Sequence, residues 1–582
     1  MGVAQKSTIP KWVLAVEPEP ELAARLAADT DLPVQVIKIL FNRGLSDAQS
    51  IDSFLNPQLT DLKDPFSMTG MVRGVDRVTQ AFMNNEKIVI YGDYDVDGIT
   101  ATALLYIVMN KLGAQVDFYL PNRLTEGYGL SKEGIDEAKN KGVSLIITVD
   151  TGITAVDEIE YASSLGIDVV VTDHHEPGVR LPEAFTIINP KQPDCTYGDE
   201  LSGVGVAFKF AQALYRSLGQ DERELEQHLD LVALGTAADI VPLIGENRTL
   251  TRFGIRQVTR TTKPGLKSLV FVSGLMGRKI STGQVVFILA PRINALGRLG
   301  DAGQAIRLLA TKDERVAQEI ARQLDEENRR RKEIDENTLE EALNQIDELV
   351  DTADDRAIVL AGEEWHQGVI GIVASRLVER FHMPTVLISI SDGIGKGSAR
   401  SIPGFHLCEA LKECEDLLIK YGGHKYAAGL SIQQDNIPAF REKFKEVSNR
   451  LLTDEDITPK LHIDLELELT DIDEKLMDAI ESFAPFGPQN MRPVFLTRNC
   501  EVVGQPRSVG NNHLRMRVRK GDAVCDVIGF GFGDMARIIS SKGCLVDIVY
   551  VLEYNTYNDV TRIQIQLRDI KLTVGNLSPD AQ

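Results

Sequence analysis

A chain of 582 residues is long enough for several domains with sizeable cores. Its formal charge of −22 excludes a protein that holds nucleic acid by overall charge, so a polyanion site must be a local basic patch or be made positive by metal. No apolar run reaches the roughly 18 residues of a spanning helix, and the opening MGVAQKSTIPKW lacks the charged-then-apolar layout of a secretory signal.

Residues 1–60 read as a helical region, clearest in ELAARLAA and VQVIKILFNRGLSDAQSIDSFLNP, with no chemistry-bearing motif. From Lys87 to about Gly166 strand and helix patterns alternate. Strands are predicted at Lys87–Tyr91, Gln115–Leu120, Val143–Val149 and Asp168–Thr172, with helices at about 99–112, 131–141 and 154–165 between them. This is the βαβ signature of a parallel, doubly wound sheet. A helical stretch follows from Val204 to Arg260, then LAPRINALGRLGDAG (289–303), then a charged segment to about Asp351. That segment has helical periodicity, opposite charges at i,i+4 and no Gly or Pro. It predicts a solvated helix joining two domains, with Arg329-Arg330-Arg331-Lys332 as surface charge. A second α/β domain is predicted at about 353–450, and alternating β runs with Gly and Asn turns at about 460–575 predict a small β-barrel. The division read from the sequence is 1–60, 61–300, 301–352, 353–455 and 456–575.

The chemistry concentrates where predicted strands end. Ile88-Val89-Ile90 runs into Asp93, Asp95 and Asp97, then Gly98 and an apolar helix. In an open α/β sheet, ligands bind beyond the carboxyl ends of strands, and hard oxygen donors there suit Mg²⁺ or Mn²⁺. Alone, the stretch fits an acidic turn capping the next helix equally well. Asp150 ends SLIITVD, Asp173-His174-His175 ends IDVVVTD, and Asp239 ends the helix LVALGTAAD. Several elements delivering carboxylate and imidazole to one edge favour a metal site. Such a set can hold two ions roughly 3.5–4 Å apart with a water between them, which implies hydrolysis of a phosphodiester or phosphoanhydride. No P-loop, GxSxG or HExxH competes. The six cysteines (Cys195, Cys408, Cys414, Cys500, Cys525, Cys544) show no CxxC pair or zinc spacing and fit reduced thiols in a cytoplasmic protein.

In order, GDYDVDG, TVDTG, TDHHEP and GTAADIVPL resemble the four motifs of the DHH phosphoesterase superfamily. PNRLTEGYGLS, SGVGVAFK, PRINALGRLGDA, EWHQGVIGIVASRLVERFHMPT, GKGSARSIPGFHL, YGGHKYAAG and FAPFGPQNMRPVF are similar, more closely, to its bacterial 5′→3′ single-stranded-DNA exonuclease branch. The resemblance implies Asp95, Asp97, Asp150, His174 and Asp239 as ligands of two divalent ions, Mn²⁺ or Mg²⁺. It implies catalytic roles for Asp93, of the same motif, and for His175 as donor to the scissile phosphate. Related phosphatases carry His where Tyr91 stands. A phenol is a poorer ligand, so one ion is expected to be held more weakly or with more water.

The resemblance also implies that Arg123, Ser398 and Arg400 hold a terminal 5′ phosphate, with a surface salt bridge the equal alternative for Arg123. Arg292 is a candidate contact to the nucleic-acid backbone, with Arg298 after it. Gly422-Gly423-His424 resembles a turn that admits the nucleotide, His424 donating. Trp365 and His366 are candidates for stacking on bases, with a plain core residue the favoured reading of Trp365. The barrel resembles an OB-fold, on which HLRMRVRK puts Arg515, Arg517 and Arg519 on one face, as a basic stripe or a solvated edge.

The implied enzyme clasps a single strand between two α/β domains and releases mononucleotides from its 5′ end, in recombination and DNA repair. The partners implied are single-stranded DNA, a single-strand-binding protein and a helicase. The alternatives are a DHH phosphodiesterase of short oligonucleotides or cyclic dinucleotides, which needs neither long helix nor barrel, and a non-catalytic replication scaffold, which needs no complete set of ligands.

Overall fold

The computed structural model describes residues 9–122, 125–127, 129–351, 354–539, 544–557 and 560–573. These form two compact units. One is built from Lys63–Val241 and Glu246–Pro459, the other from Lys11–Leu62, Pro242–Gly245 and the chain from Lys460 onward.

The first unit opens on a five-stranded, wholly parallel sheet in the order Gln115–Tyr119, Lys87–Gly92, Leu145–Val149, Asp168–Thr172, Thr186–Ile188. Leu145–Val149 is buried throughout, and Lys87–Gly92 and Asp168–Thr172 are buried after their first residue. Such continuous apolar runs mark strands covered on both faces. Helix Val96–Lys111 packs on helices Gly203–Ser217 and Leu229–Ala238. Its apolar residues surround it, as in a helix buried on all sides. Strand order reverses beside Lys87–Gly92: the chain goes first to Gln115–Tyr119 on one flank, then to Leu145–Val149 on the other. The crevice where an open sheet takes its ligands therefore lies between the ends of Lys87–Gly92 and Leu145–Val149.

Helix Glu314–Leu349 runs for 36 residues, about 54 Å at 1.5 Å per residue. Asp313 starts it by accepting from the amides of Arg315 and Val316, which separates it from the short helix Gly303–Ala310. The sequence predicts a solvated helix with Arg331 on the surface; this needs correction. One stripe, from Ala317 through Leu324, Arg331 and Ala342 to Ile346, is buried. The stripe includes polar Asp325, Asn328, Arg331 and Asp335, which masks its helical period. Arg331 is 9% exposed, whereas Arg329 stays in solvent and pairs with Asp325.

The second sheet of this unit has the order Leu418–Gly423, Ala427–Gln433, Ile394–Arg400, Thr385–Ser391, Ile358–Gly362. Only its last two strands are parallel.

In the second unit, strands Phe495–Val509, His513–Lys520, Ala523–Gly529, Val560–Leu572 and Leu545–Tyr557 pair in that order. The last returns to the first, closing a barrel. Helices Pro20–Thr30, Val34–Asn42 and Ala48–Leu55 share one core with these strands, through residues such as Leu26, Ile37, Leu40 and Ile51 against Phe495, Val546 and Tyr550. The early helical region is thus part of the barrel's unit. Among the described residues no helix is long and apolar enough to cross a membrane.

Candidate metal centre and phosphate pocket

Asp93, Asp95 and Asp97 follow directly on strand Lys87–Gly92. Asp95 is the N-cap of helix Val96–Lys111, its Oδ1 accepting from the amides of Asp97 at 2.9 Å and Gly98 at 3.1 Å. The capping role read as the alternative is therefore real, and it leaves Oδ2 of Asp95 for another partner. Asp97 is buried, and both its oxygens accept amides from the first turn of helix Gly203–Ser217: Gly203 N to Oδ2 at 2.6 Å and Val204 N to Oδ1 at 2.9 Å. Two glycines permit this approach. A Cβ on Gly203 would lie 2.5 Å from Asp150 Oδ1, and one on Gly235 would lie 2.6 Å from Asp97 Oδ1.

Asp150 ends the neighbouring strand with φ 59°, a left-handed conformation that Asp tolerates better than most residues. His174 follows strand Asp168–Thr172, and Asp239 caps helix Leu229–Ala238 at its C-terminus. The four side chains converge. His174 Nε2 lies 3.0 Å from Asp150 Oδ1, 3.5 Å from Asp239 Oδ2 and 3.9 Å from Asp97 Oδ2. Asp93, Asp95 and Asp150 form an adjoining group sharing Asp150. Burial, and then the charges of the neighbouring carboxylates, raise the pKa of Asp95 and push those of Asp97 and Asp150 well above the ordinary range.

The residues fit divalent cations. Asp150 Oδ1 and Asp239 Oδ2 are buried and take no hydrogen bond from any described residue, although both face His174 Nε2. Buried polar atoms without partners need an explanation. Several carboxylates opposing one another's ionisation around one imidazole form a hard donor set, which a cation satisfies.

Asp173 carries a role the sequence reading did not single out. Its Oδ1 accepts from the amides of His174 and His175 and lies 2.8 Å from His175 Nδ1, while Oδ2 accepts from Ile153 N. Burial opposes ionisation of Asp173, but these bonds and the two imidazoles outweigh it, and its pKa is lowered. Burial likewise opposes a charged His175. The Asp173 bond and charge win there too, lifting the imidazole to about 9. Adjacency within Asp173-His174-His175 was the available signal. The Tyr91 hydroxyl is taken up by Ser131, accepting its amide at 3.1 Å and lying 3.2 Å from its Oγ.

On the second sheet, Arg400 Nη1 donates to Ser398 Oγ at 3.1 Å. Both side chains lie against the first turns of helix Gln367–Phe381: a Cβ on Gly371 would sit 2.9 Å from Ser398 Oγ and from Arg400 Nη2. His366 caps this helix, accepting from Gly368 N, and is committed there rather than to a base. Helix Ala290–Leu299 connects the two places. Gly297 backs onto the Tyr94 carbonyl of the acidic loop, and Arg298 donates to Gly368 O at 2.9 Å.

Models of known families match three stretches: the DHH family, N-terminal domain, over 87–236; the DHHA1 domain over 354–450; and the RecJ OB domain over 463–569. The single-stranded-DNA-specific exonuclease RecJ of Bacillus subtilis (strain 168) is 41% identical over 572 residues, covering 97% of this chain and 71% of that one. The chain belongs to the RecJ family. The RecJ of Escherichia coli (strain K12) is 36% identical, covering 93% of this chain and 96% of its own length. The crystal structure of RecJ from Thermus thermophilus in complex with Mn²⁺ superposes with TM-score 0.84 at 30% identity, covering 97% of this chain and 80% of that one. The fold expected from the sequence, two α/β domains and a terminal barrel, is that of this family.

The remaining candidates of this RecJ-family chain fall unevenly. Arg123 lies outside the described residues. Arg292 is tied to Asp325 at 3.0 Å and to the Ile288 carbonyl, with 13% of its side chain exposed. Trp365 is core, 4% exposed, its Nε1 donating to Glu341. His424 is exposed beyond strand Leu418–Gly423, its amide donating to Ala427 O. On the barrel, Arg515, Arg517 and Arg519 share the exposed face of His513–Lys520, but Arg519 is held by Glu501 at 2.6 Å. Arg515 and Arg562 line a cleft of about 760 Å³ together with Phe530, which is 55% exposed.

Proposed function

We propose that this chain is a metal-dependent exonuclease that degrades single-stranded DNA from a 5′ end. The observation carrying this reading is the convergence of His174 with Asp97, Asp150 and Asp239 at the sheet's switch point, in a chain whose relatives are named single-stranded-DNA-specific exonucleases. Asp95, Asp97, Asp150, His174 and Asp239, with Asp93 beside them, hold the ions. Bound there, Mn²⁺ or Mg²⁺ supplies an activated water and neutralises charge on the scissile phosphate.

The chain's own groups do the rest. His175, kept protonated by Asp173, donates to a non-bridging oxygen of that phosphate. Ser398 and Arg400, beside the positive end of helix Gln367–Phe381, take the terminal 5′ phosphate, since a guanidinium beside a hydroxyl suits a dianion. Direction follows from this pocket, because internal phosphates look alike to a metal centre. The barrel's Arg515 and Arg517 guide the strand, and Phe530 and Arg562 offer a stacking edge and a further cation. A polymer substrate is favoured over a dinucleotide by the barrel, whose arginine face a small molecule would not use. Six free thiols support a cytoplasmic setting. An enzyme that accepts only single strands also works beside proteins that open duplex and coat the strand, a helicase and a single-strand-binding protein.

Digestion of 3′-labelled single-stranded DNA, with Mn²⁺ and with chelator, tests the reading. The labelled strand should shorten progressively from the far end, only with metal, while duplex of the same sequence survives. Immediate release of labelled mononucleotide, or degradation in chelator, would overturn it.

A further inference from the structure

The acidic cluster is held by groups that touch no ligand position, and one of them lies in a helix nothing above assigns to the site. The turn Gly203–Val204 that donates to both oxygens of Asp97 is fixed from two sides. Its N-cap, Ser202, accepts Gly205 N at 3.1 Å and lies 2.7 Å, hydroxyl to hydroxyl, from Thr236, three residues before Asp239. Ser202 N donates to Asn247 Oδ1 at 3.3 Å, and Asn247 Nδ2 donates to Glu200 O at 2.7 Å. Asn247 and Ser202 are both wholly buried. One amide side chain thus clamps the chain on either side of Leu201, just before the helix begins. The neighbouring Glu246 anchors the same region: its carboxylate accepts from Lys209 Nζ at 2.9 Å, from Lys63 N and from the Tyr197 hydroxyl.

We propose that Asn247, Ser202 and Thr236 are positioning residues for the metal centre. Through the Gly203–Val204 amides they fix the rotation of Asp97, and through Thr236 they tie that carboxylate to the helix that ends at Asp239. Two ligands from distant parts of the chain are thereby held at one spacing before any cation arrives. The proposal rests on the metal-binding reading above. Partners behind metal ligands typically change metal affinity by about 10–100-fold when removed.

The variants are Ser202→Ala, Thr236→Val, the pair together, Ser202→Thr and Asn247→Ala. Mn²⁺ binding is measured without DNA, by the loss of the free-ion electron paramagnetic resonance signal. The wild type is measured first: if it takes up no Mn²⁺, the metal reading itself fails and this one falls with it. Given binding, Ser202→Ala and Asn247→Ala should weaken it by about ten-fold or more. The rate should recover at saturating Mn²⁺, and single-stranded-DNA affinity should stay within about two-fold of wild type because its contacts are spread over many phosphates. Ser202→Thr, which keeps the hydroxyl, should restore metal affinity, and the double variant should lose no more than the worse single one. Unchanged Mn²⁺ affinity in folded Ser202→Ala overturns the proposal. So does a loss that excess metal does not recover, or one that falls equally on DNA affinity. Should Asn247→Ala fail to fold, the Ser202 and Thr236 variants decide alone.

Discussion

The two sheets of the first unit are assembled differently and gather side chains of opposite charge. In the all-parallel sheet, neighbouring strands end side by side, so Asp93–Asp97, Asp150 and His174 are delivered to one crevice. In the second sheet only Ile358–Gly362 and Thr385–Ser391 are parallel, and the site's side chains come from Ile394–Arg400, antiparallel to them. That strand lays Ser398 and Arg400 against the first turns of helix Gln367–Phe381, the positive end of its dipole. The two α/β layers thus collect negative charge in one case and positive charge in the other. A metal-dependent enzyme that measures from a terminal phosphate needs both, and helix Ala290–Leu299 touches each.

The largest expected effect breaks the cation side. Asp150→Ala should cut hydrolysis by at least roughly 10²–10³-fold, the scale of losing one preorganised electrostatic group, with strand affinity near wild type. Near-normal turnover in a folded, Mn²⁺-saturated variant would remove Asp150 from the centre. On the anion side, Arg400→Ala should shrink the rate advantage of 5′-phosphorylated over 5′-hydroxyl strands by about ten-fold, since a charge-assisted contact is worth roughly 1.5–3 kcal/mol. An unchanged ratio would place the pocket elsewhere.

A smaller effect separates the barrel from both sheets. Replacing Arg515 and Arg517 should lower the salt dependence of binding to long strands by about 1.4 in logarithmic slope, at roughly 0.7 per phosphate. Arg519→Ala should change little, because Glu501 already holds Arg519. An equal contribution from all three would contradict the ion pair's importance. The smallest effect concerns Asp173. His175 is charged below about 9, and the Asp173 carboxylate favours that charged form. Asp173→Asn therefore lowers the imidazole's pKa, the protonated donor is lost at lower pH, and the alkaline limb of the rate profile should move down by roughly one to two pH units. An unmoved limb would mean that His175 is not the group titrating.

The acidic strand ends were legible because strand periodicity, sharp turns and residue type coincide there. The barrel's arginine face was legible through its period of two, but the Glu501 that neutralises Arg519 comes from a strand whose register no local pattern reveals. The amides of Gly203 and Val204 that hold Asp97 belong to the backbone, which leaves no mark in residue type. Asn247 is remote in sequence, and its role appears only when helix Gly245–Thr259 packs beside Ser202. Arg331 was misplaced because the buried stripe of its helix includes polar Asp325, Asn328 and Asp335, which mask its period. Leu26, Ile37 and Ile51 showed that the early helices need a core, not that the core is a barrel more than four hundred residues later.

The division between the sheets is tested most directly by crossing two measurements on two variants. Mn²⁺ affinity is measured without DNA, and affinity for 5′-phosphorylated against 5′-hydroxyl oligonucleotides is measured in chelator, for the wild type, Asp150→Ala and Arg400→Ala. The account predicts that Asp150→Ala loses Mn²⁺ and keeps the preference for a 5′ phosphate, while Arg400→Ala keeps Mn²⁺ and loses the preference. A folded Arg400→Ala protein that loses Mn²⁺ as Asp150→Ala does, or an Asp150→Ala protein that no longer distinguishes the two ends, would contradict it.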